Sequence, residues 1–159
     1  MIRCVAFDLD GVLVDADELH RVALNKALAI CGPQAVLTME EHLTTFKGLP
    51  TRVKLERLVA AGRVPVSQVT TVNAFKQECT IEEIQKLRPD PAKIALLEKL
   101  QQNEWQLCVC SNAMRRSVTE MLLAGGLMRY VAFYLSNQDA LPKPAPDMYL
   151  RAAALFGVL

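Results

Sequence analysis

The chain has 159 residues, 52% hydrophobic and 22% charged, which is enough for one domain, or one domain carrying an insertion, around a real buried core. Its net charge of +1 supplies no overall field to draw nucleic acid or an anionic membrane, so an anionic partner must be recognised locally. No apolar run approaches the roughly 18 residues of a membrane span, and Asp8 and Asp10 interrupt the N-terminal apolar stretch, which predicts a cytoplasmic protein.

Ile2 to Phe7 is an apolar run broken only by Arg3, read as a buried strand that ends at Asp8. Leu19, Val22, Ala23, Ala27 and Ile30 then repeat at helical spacing, predicting a helix over 16–31 that stops at Cys31-Gly32-Pro33. Thr38-Met39-Glu40-Glu41 has the form of a capping box opening a short helix that ends at Gly48. Helices are predicted over 51–61, up to Gly62, and over 67–87. Residues 16–87 therefore read as an all-helical insertion.

Alternation resumes at Arg88-Pro89-Asp90-Pro91, with Pro91 suited to the first turn of a helix reaching Asn103. Trp105 to Cys110 reads as a second buried strand, 115–124 as a helix stopped by Gly125-Gly126, 130–135 as a third strand, and 144–156 as a last helix. Strands alternating with helices predict an α/β fold with a parallel, doubly wound sheet. Five cysteines (Cys4, Cys31, Cys79, Cys108 and Cys110) are an odd number, and Cys108-Val109-Cys110 lacks the second pair usual in zinc sites. Reduced structural thiols are expected.

In a parallel sheet every strand delivers its carboxyl end to the same edge, where open α/β sheets bind ligands. Asp8 and Asp10 follow the first strand, with Gly11 supplying the backbone freedom of a sharp turn; Ser111 and Asn112 follow the second; Lys143 lies in the loop beyond the third. Two carboxylates, a hydroxyl, an amide and an ammonium suit a phosphate with a divalent cation. The acids would hold the metal through oxygen, while Ser111, backbone N–H groups and Lys143 would bind phosphoryl oxygens. Taken singly, Ser111-Asn112 reads as a turn or cap, Lys143 as a loop lysine and Asp147 as a first-turn acid favoured by the helix dipole. Their order and register behind Asp8 and Asp10 carry the argument.

The run Asp8-x-Asp10-Gly11-x-x-x-Asp15 resembles the signature of the haloacid dehalogenase superfamily. Val109-Cys110-Ser111-Asn112 is similar to its second motif and Lys143-Pro144-Ala145-Pro146-Asp147 to its third, in order, so the resemblance spans essentially the whole chain. It implies a Rossmann-like core over 1–15 and 88–159 and, over 16–87, a helical cap like that of the β-phosphoglucomutase and phosphoglycolate phosphatase subgroup. It further implies a Mg2+-dependent phosphomonoester hydrolase or phosphomutase acting on a small phosphorylated metabolite. Asp8 would be the nucleophile forming an aspartyl-phosphate, Asp10 the general acid and base, Ser111 the orienting hydroxyl and Lys143 the compensating charge. Gly11, Asn112, His20, Lys47, Arg52 and Lys76 are the groups expected to face the substrate. Ala16 departs from the hydroxyl residue often found after the last Asp of the signature, which weighs against a mutase.

The family's fourth motif, an acidic pair on a further strand, has no counterpart before Leu159, and the last two core strands are missing from the sequence. The expectation is a C-terminally truncated chain whose first strand is an open sheet edge, a liability that a dimer or a complementing chain at that edge would cover. The alternative reading is a non-catalytic fragment that binds phosphate or a partner.

Overall fold

A computed structural model describes residues 4–158. Within it the chain divides into two compact units, one made of the chain up to Asp17 together with Ile84 onward, the other of Glu18–Glu83.

The first unit holds a parallel sheet of three strands in the order β1 (Cys4–Phe7), β2 (Gln106–Cys110), β3 (Phe133–Leu135). Phe7 is in register with Val109, Val109 with Tyr134, and Cys110 with Leu135. Helix α5 (Pro91–Gln102) precedes β2, α6 (Arg115–Ala124) links β2 to β3, and α7 (Asp147–Leu155) follows β3. Side chains alternate across a strand, so Cys108 and Cys110 share one face of β2. They pack there with Leu135, Met148 and Ala152 in a core that Phe133, Ala140 and Phe156 adjoin, so α7 covers that face.

The second unit contains only helices and turns: α1 (Asp17–Leu28, whose first residue belongs to the first unit), α2 (Met39–Glu41), α3 (Thr51–Ala60) and α4 (Val69–Ile84, whose last residue belongs to the first unit). Its core joins Leu24, Leu28, Leu37, Phe46, Leu55, Leu58 and Val72. The capping box forms as its sequence demands: the Glu41 N–H donates to Thr38 Oγ1 at 3.1 Å and the Thr38 N–H to Glu41 Oε2 at 2.9 Å. Arg63 then clamps Glu41 from Nη1 at 2.5 Å and Nη2 at 3.3 Å, also donating to the carbonyls of Gln34 and Val36.

Several expectations shift. The expected burial of the first strand is corrected: Ala6 is exposed and Cys4, Val5 and Phe7 are half-buried. Among the described residues β1 pairs with β2 alone, so no described strand pairs with its other edge. The expected start of that strand at Ile2 lies outside the described residues. The third strand begins at Phe133, because Met128–Tyr130 form a helical turn in which the buried Tyr130 directs its hydroxyl to Glu98 at 2.7 Å. The last helix begins at Asp147 and not at Pro144: Pro146 disfavours helical backbone at the residue before it, so the Lys143–Pro146 stretch stays a loop. The helix predicted over 67–87 ends at Ile84, and the one predicted over 16–31 ends as a helix at Leu28 and tightens into a single narrower turn. The short helix opened by the capping box widens into a π-helical turn over His42–Phe46.

All five cysteines are thiols. A hydrogen bond with Cys110, together with burial, holds the Cys108 thiol well above its usual range. Among the described residues no helix is long and apolar enough to cross a membrane.

Candidate active site

The parallel register decides which residues meet at the carboxyl edge. The β1–β2 register ends at Phe7 and Val109; Asp8 is the first residue after β1 and Ser111 the first after β2. The Asp8 carboxylate accepts from its neighbour Leu9 N–H at 2.7 Å through Oδ1, and the same oxygen lies 2.6 Å from Lys143 Nζ. Lys143 Nζ also donates to the Cys110 carbonyl at 2.9 Å, so a loop lysine is drawn onto the strand ends. Its side chain is 16% exposed and that of Asp8 40%, which leaves the carboxylate open to a ligand while the ammonium is largely screened from water.

The chain turns sharply after Asp8. Gly11 has φ +77°, a left-handed conformation that disfavours other residues, and its N–H donates to the Val14 carbonyl at 2.7 Å. Asp10, paired across this turn with Val14, accepts from the Ser111 hydroxyl at Oδ2 over 3.1 Å. Ser111 itself is fully buried; its Oγ accepts the Ala113 N–H at 3.0 Å and its own N–H donates to the Leu135 carbonyl at 2.9 Å. Four residues from three distant stretches, Asp8, Asp10, Ser111 and Lys143, thus form one hydrogen-bonded and charged cluster. The geometry matches what phosphoryl transfer needs: an open carboxylate, a second acid on a neighbouring turn, and a cation beside the first.

Asn112, expected to face the substrate, directs its carboxamide at the Lys143 main chain. His20, Lys47, Arg52 and Lys76 belong to the helical unit. His20 is half-buried on α1, Lys47 is exposed beyond the His42–Phe46 turn, and Lys76 is buried on α4. Arg52 is exposed and its guanidinium pairs with Glu56 one helical turn later at 2.6 Å. Asp147 lies in the first turn of α7.

Sequence reading missed a second layer under the loop that carries Lys143. The Asp139 carboxylate, 10% exposed, accepts from the Ser136 N–H at 2.8 Å and the Ser136 hydroxyl at 2.7 Å and pairs with Arg115, while the Arg151 guanidinium donates to the Asp139 carbonyl. Asn137 Nδ2 donates to the Asn112 carbonyl at 2.9 Å. A Ser-x-x-Asp step just past a strand is the one local signal, since such residues close turns on their own backbone. Burial pushes the Asp139 carboxyl up, but the Ser136 donors and the Arg115 guanidinium outweigh it and hold it below the usual carboxylate range.

A folded-state value below the unfolded one means that Asp139 stabilises the fold above the ordinary carboxylate range and that this contribution is lost as pH falls through the depressed value. Asp139→Asn is therefore expected to lower the urea midpoint at pH 7 by an amount equivalent to about 2 kcal/mol, with the gap to the unmodified chain narrowing below about pH 4. Urea titrations at both pH values check this, and a gap that stays constant with pH refutes it.

Comparison with known proteins bears on the family and the fold. The family description "haloacid dehalogenase-like hydrolase" matches residues 5–159. The phosphoglycolate phosphatase of Cereibacter sphaeroides strain ATCC 17029 is 32% identical over 155 residues, covering 94% of this chain and 69% of its own. Protein CbbY of Rhodobacter capsulatus is 23% identical over 167 residues, covering 99% and 73%. The crystal structures of CbbY from Rhodobacter sphaeroides, one with phosphate and one of a mutant with xylulose-(1,5)bisphosphate, superpose with a TM-score of 0.78 at 22% identity, over 99% of this chain and 74% of theirs. The chain belongs to the haloacid dehalogenase-like hydrolase family.

Proposed function

We propose that this chain carries the site of a Mg2+-dependent phosphomonoester hydrolase that acts on a small phosphorylated metabolite through an aspartyl-phosphate on Asp8. The observation that carries the reading is the contact of Lys143 Nζ with Asp8 Oδ1 at 2.6 Å, beside the Asp10–Ser111 pair. A carboxylate that must attack a phosphate dianion needs its charge compensated, and a fixed ammonium does that without reorganisation.

The donor set fits Mg2+. Asp8 and Asp10 offer hard carboxylate oxygens, and Mg2+ binds through one or two carboxylates plus substrate phosphate while keeping several waters. Among the described residues no group of three or more His, Cys, Asp or Glu forms a closed metal cage. Mg2+ held by Asp8 and Asp10 would reduce the repulsion between the attacking carboxylate and the phosphate.

In the reaction an Asp8 carboxylate oxygen attacks phosphorus and the bond from phosphorus to the leaving oxygen breaks as Asp10 delivers its proton there. Water then attacks the acyl-phosphate phosphorus, Asp10 takes the proton from it, and inorganic phosphate leaves with Asp8 restored. Ser111 Oγ, hydrogen-bonded to Asp10, orients that acid, and Lys143 balances the charge of Asp8 and of the phosphoryl group. The helical unit is read as the cap, with His20, Lys47, Arg52 and Lys76 as its substrate-facing groups and with Gly11 bringing the turn backbone to the phosphate.

The substrate class is supported by the relatives: one is named a phosphoglycolate phosphatase, and another was solved with a pentulose bisphosphate. The test is release of phosphate from p-nitrophenyl phosphate with Mg2+ and with EDTA. Turnover that EDTA abolishes is expected. Absence of turnover with phosphate binding retained would favour a non-catalytic phosphate-binding chain.

A further inference from the structure

Lys143 sits in a loop, where nothing in the sheet ladder holds its backbone. What holds it is the side chain of Asn112. Asn112 Nδ2 donates to the Lys143 carbonyl at 2.9 Å, and Asn112 Oδ1 accepts from the Lys143 N–H at 2.7 Å. One carboxamide thereby satisfies both polar groups of one residue, as a neighbouring strand would. The amide orientation follows from the partners, because only the NH2 end can face a carbonyl and only the oxygen an N–H. Asn112 is in turn tied from behind by Asn137, whose Nδ2 donates to the Asn112 carbonyl at 2.9 Å and whose N–H donates to the Ala113 carbonyl at 3.3 Å.

We infer that Asn112 is a positioning residue that clamps the Lys143 main chain so that Nζ reaches Asp8, and is not a substrate contact. The inference deepens the proposed function, since it rests on Lys143 compensating charge at Asp8. Both ends of the carboxamide are occupied by the clamp. Ser111, the preceding residue, bonds Asp10, so two adjacent side chains divide the work: the first orients the second acid, the next one orients the cation. A loop lysine displaced by about 1 Å from its partner is costly, because misplacement on that scale reduces turnover by about 10²-fold.

The test compares Asn112→Ala, which removes both bonds, with Asn112→Asp, which keeps an acceptor for the Lys143 N–H but sets an oxygen against its carbonyl. Both are expected to lower kcat for p-nitrophenyl phosphate by about 10- to 100-fold while KM stays within about threefold, the split expected when a transition-state interaction is lost and substrate binding is not. A second measurement does not depend on activity: acetylation of Lys143 by a limiting dose of acetic anhydride, followed by peptide mass spectrometry with Lys99 as internal reference. Lys143 should be modified several-fold faster in both variants than in the unmodified chain. A rise in KM with kcat unchanged would make Asn112 a substrate contact and overturn the inference. Unchanged Lys143 acetylation would overturn it too. If the unmodified chain shows no turnover, the proposed function fails, while the acetylation result still decides whether the clamp exists.

Discussion

Asp8→Asn is expected to abolish phosphate release from p-nitrophenyl phosphate, with a loss of at least ~10⁴-fold in kcat, as for removal of other catalytic nucleophiles. Asparagine keeps the shape of the side chain and an oxygen for the Leu9 N–H that Asp8 accepts at 2.7 Å, so the turn should survive. What it lacks is the charge that faces Lys143 at 2.6 Å and, on the proposed mechanism, the electron pair that attacks phosphorus. The contrast with the unmodified chain, measured beside its thermal midpoint, separates chemistry from folding. Activity that persists in Asp8→Asn rules out the nucleophile.

Lys143→Ala tests the other half of the pair. Its ammonium touches the Asp8 carboxylate and the Cys110 carbonyl and is 16% exposed, so it works where water screens little of its field. Removing a fixed charge or donor that stabilises developing negative charge costs about 10²–10³ in kcat. That loss is expected here, smaller than for Asp8→Asn because the attacking group remains, and added Mg2+ should not restore it if the ammonium acts on Asp8 itself. A kcat within a few-fold of the unmodified chain would show that Lys143 is a structural tether only. Asn112→Ala should lie between the unmodified chain and Lys143→Ala, since it displaces the ammonium without deleting it.

The parallel α/β order was legible because its signals are local: the apolar runs at Cys4–Phe7 and Gln106–Cys110, Pro91 in the first turn of α5, and Thr38 with Glu41 at the start of α2. Boundaries were less so. Tyr130 fits a strand by composition, yet its hydroxyl reaches Glu98, 32 residues away in sequence, and that contact selects a helical turn. The burial of β1 was misread for the same reason: an apolar run states what a strand prefers to touch, and only the neighbours present decide what it does touch.

By itself, the amino-acid order determined which chemistry is on offer, because the Asp8–Asp10–Gly11 turn and the later Ser111 and Lys143 each declare a functional group at the end of a strand or in the loop beyond one. The tertiary structure alone decided how those groups are held. Asn137 and Asp139 look like ordinary polar loop residues in sequence, and Asn112 reads there as a substrate contact, since hydrogen bonding to a backbone group 31 positions away leaves no periodic trace. It took the shared carboxyl edge of a parallel sheet to bring the loops after β2 and β3 within 3 Å of one another and turn a loop lysine into the partner of a carboxylate.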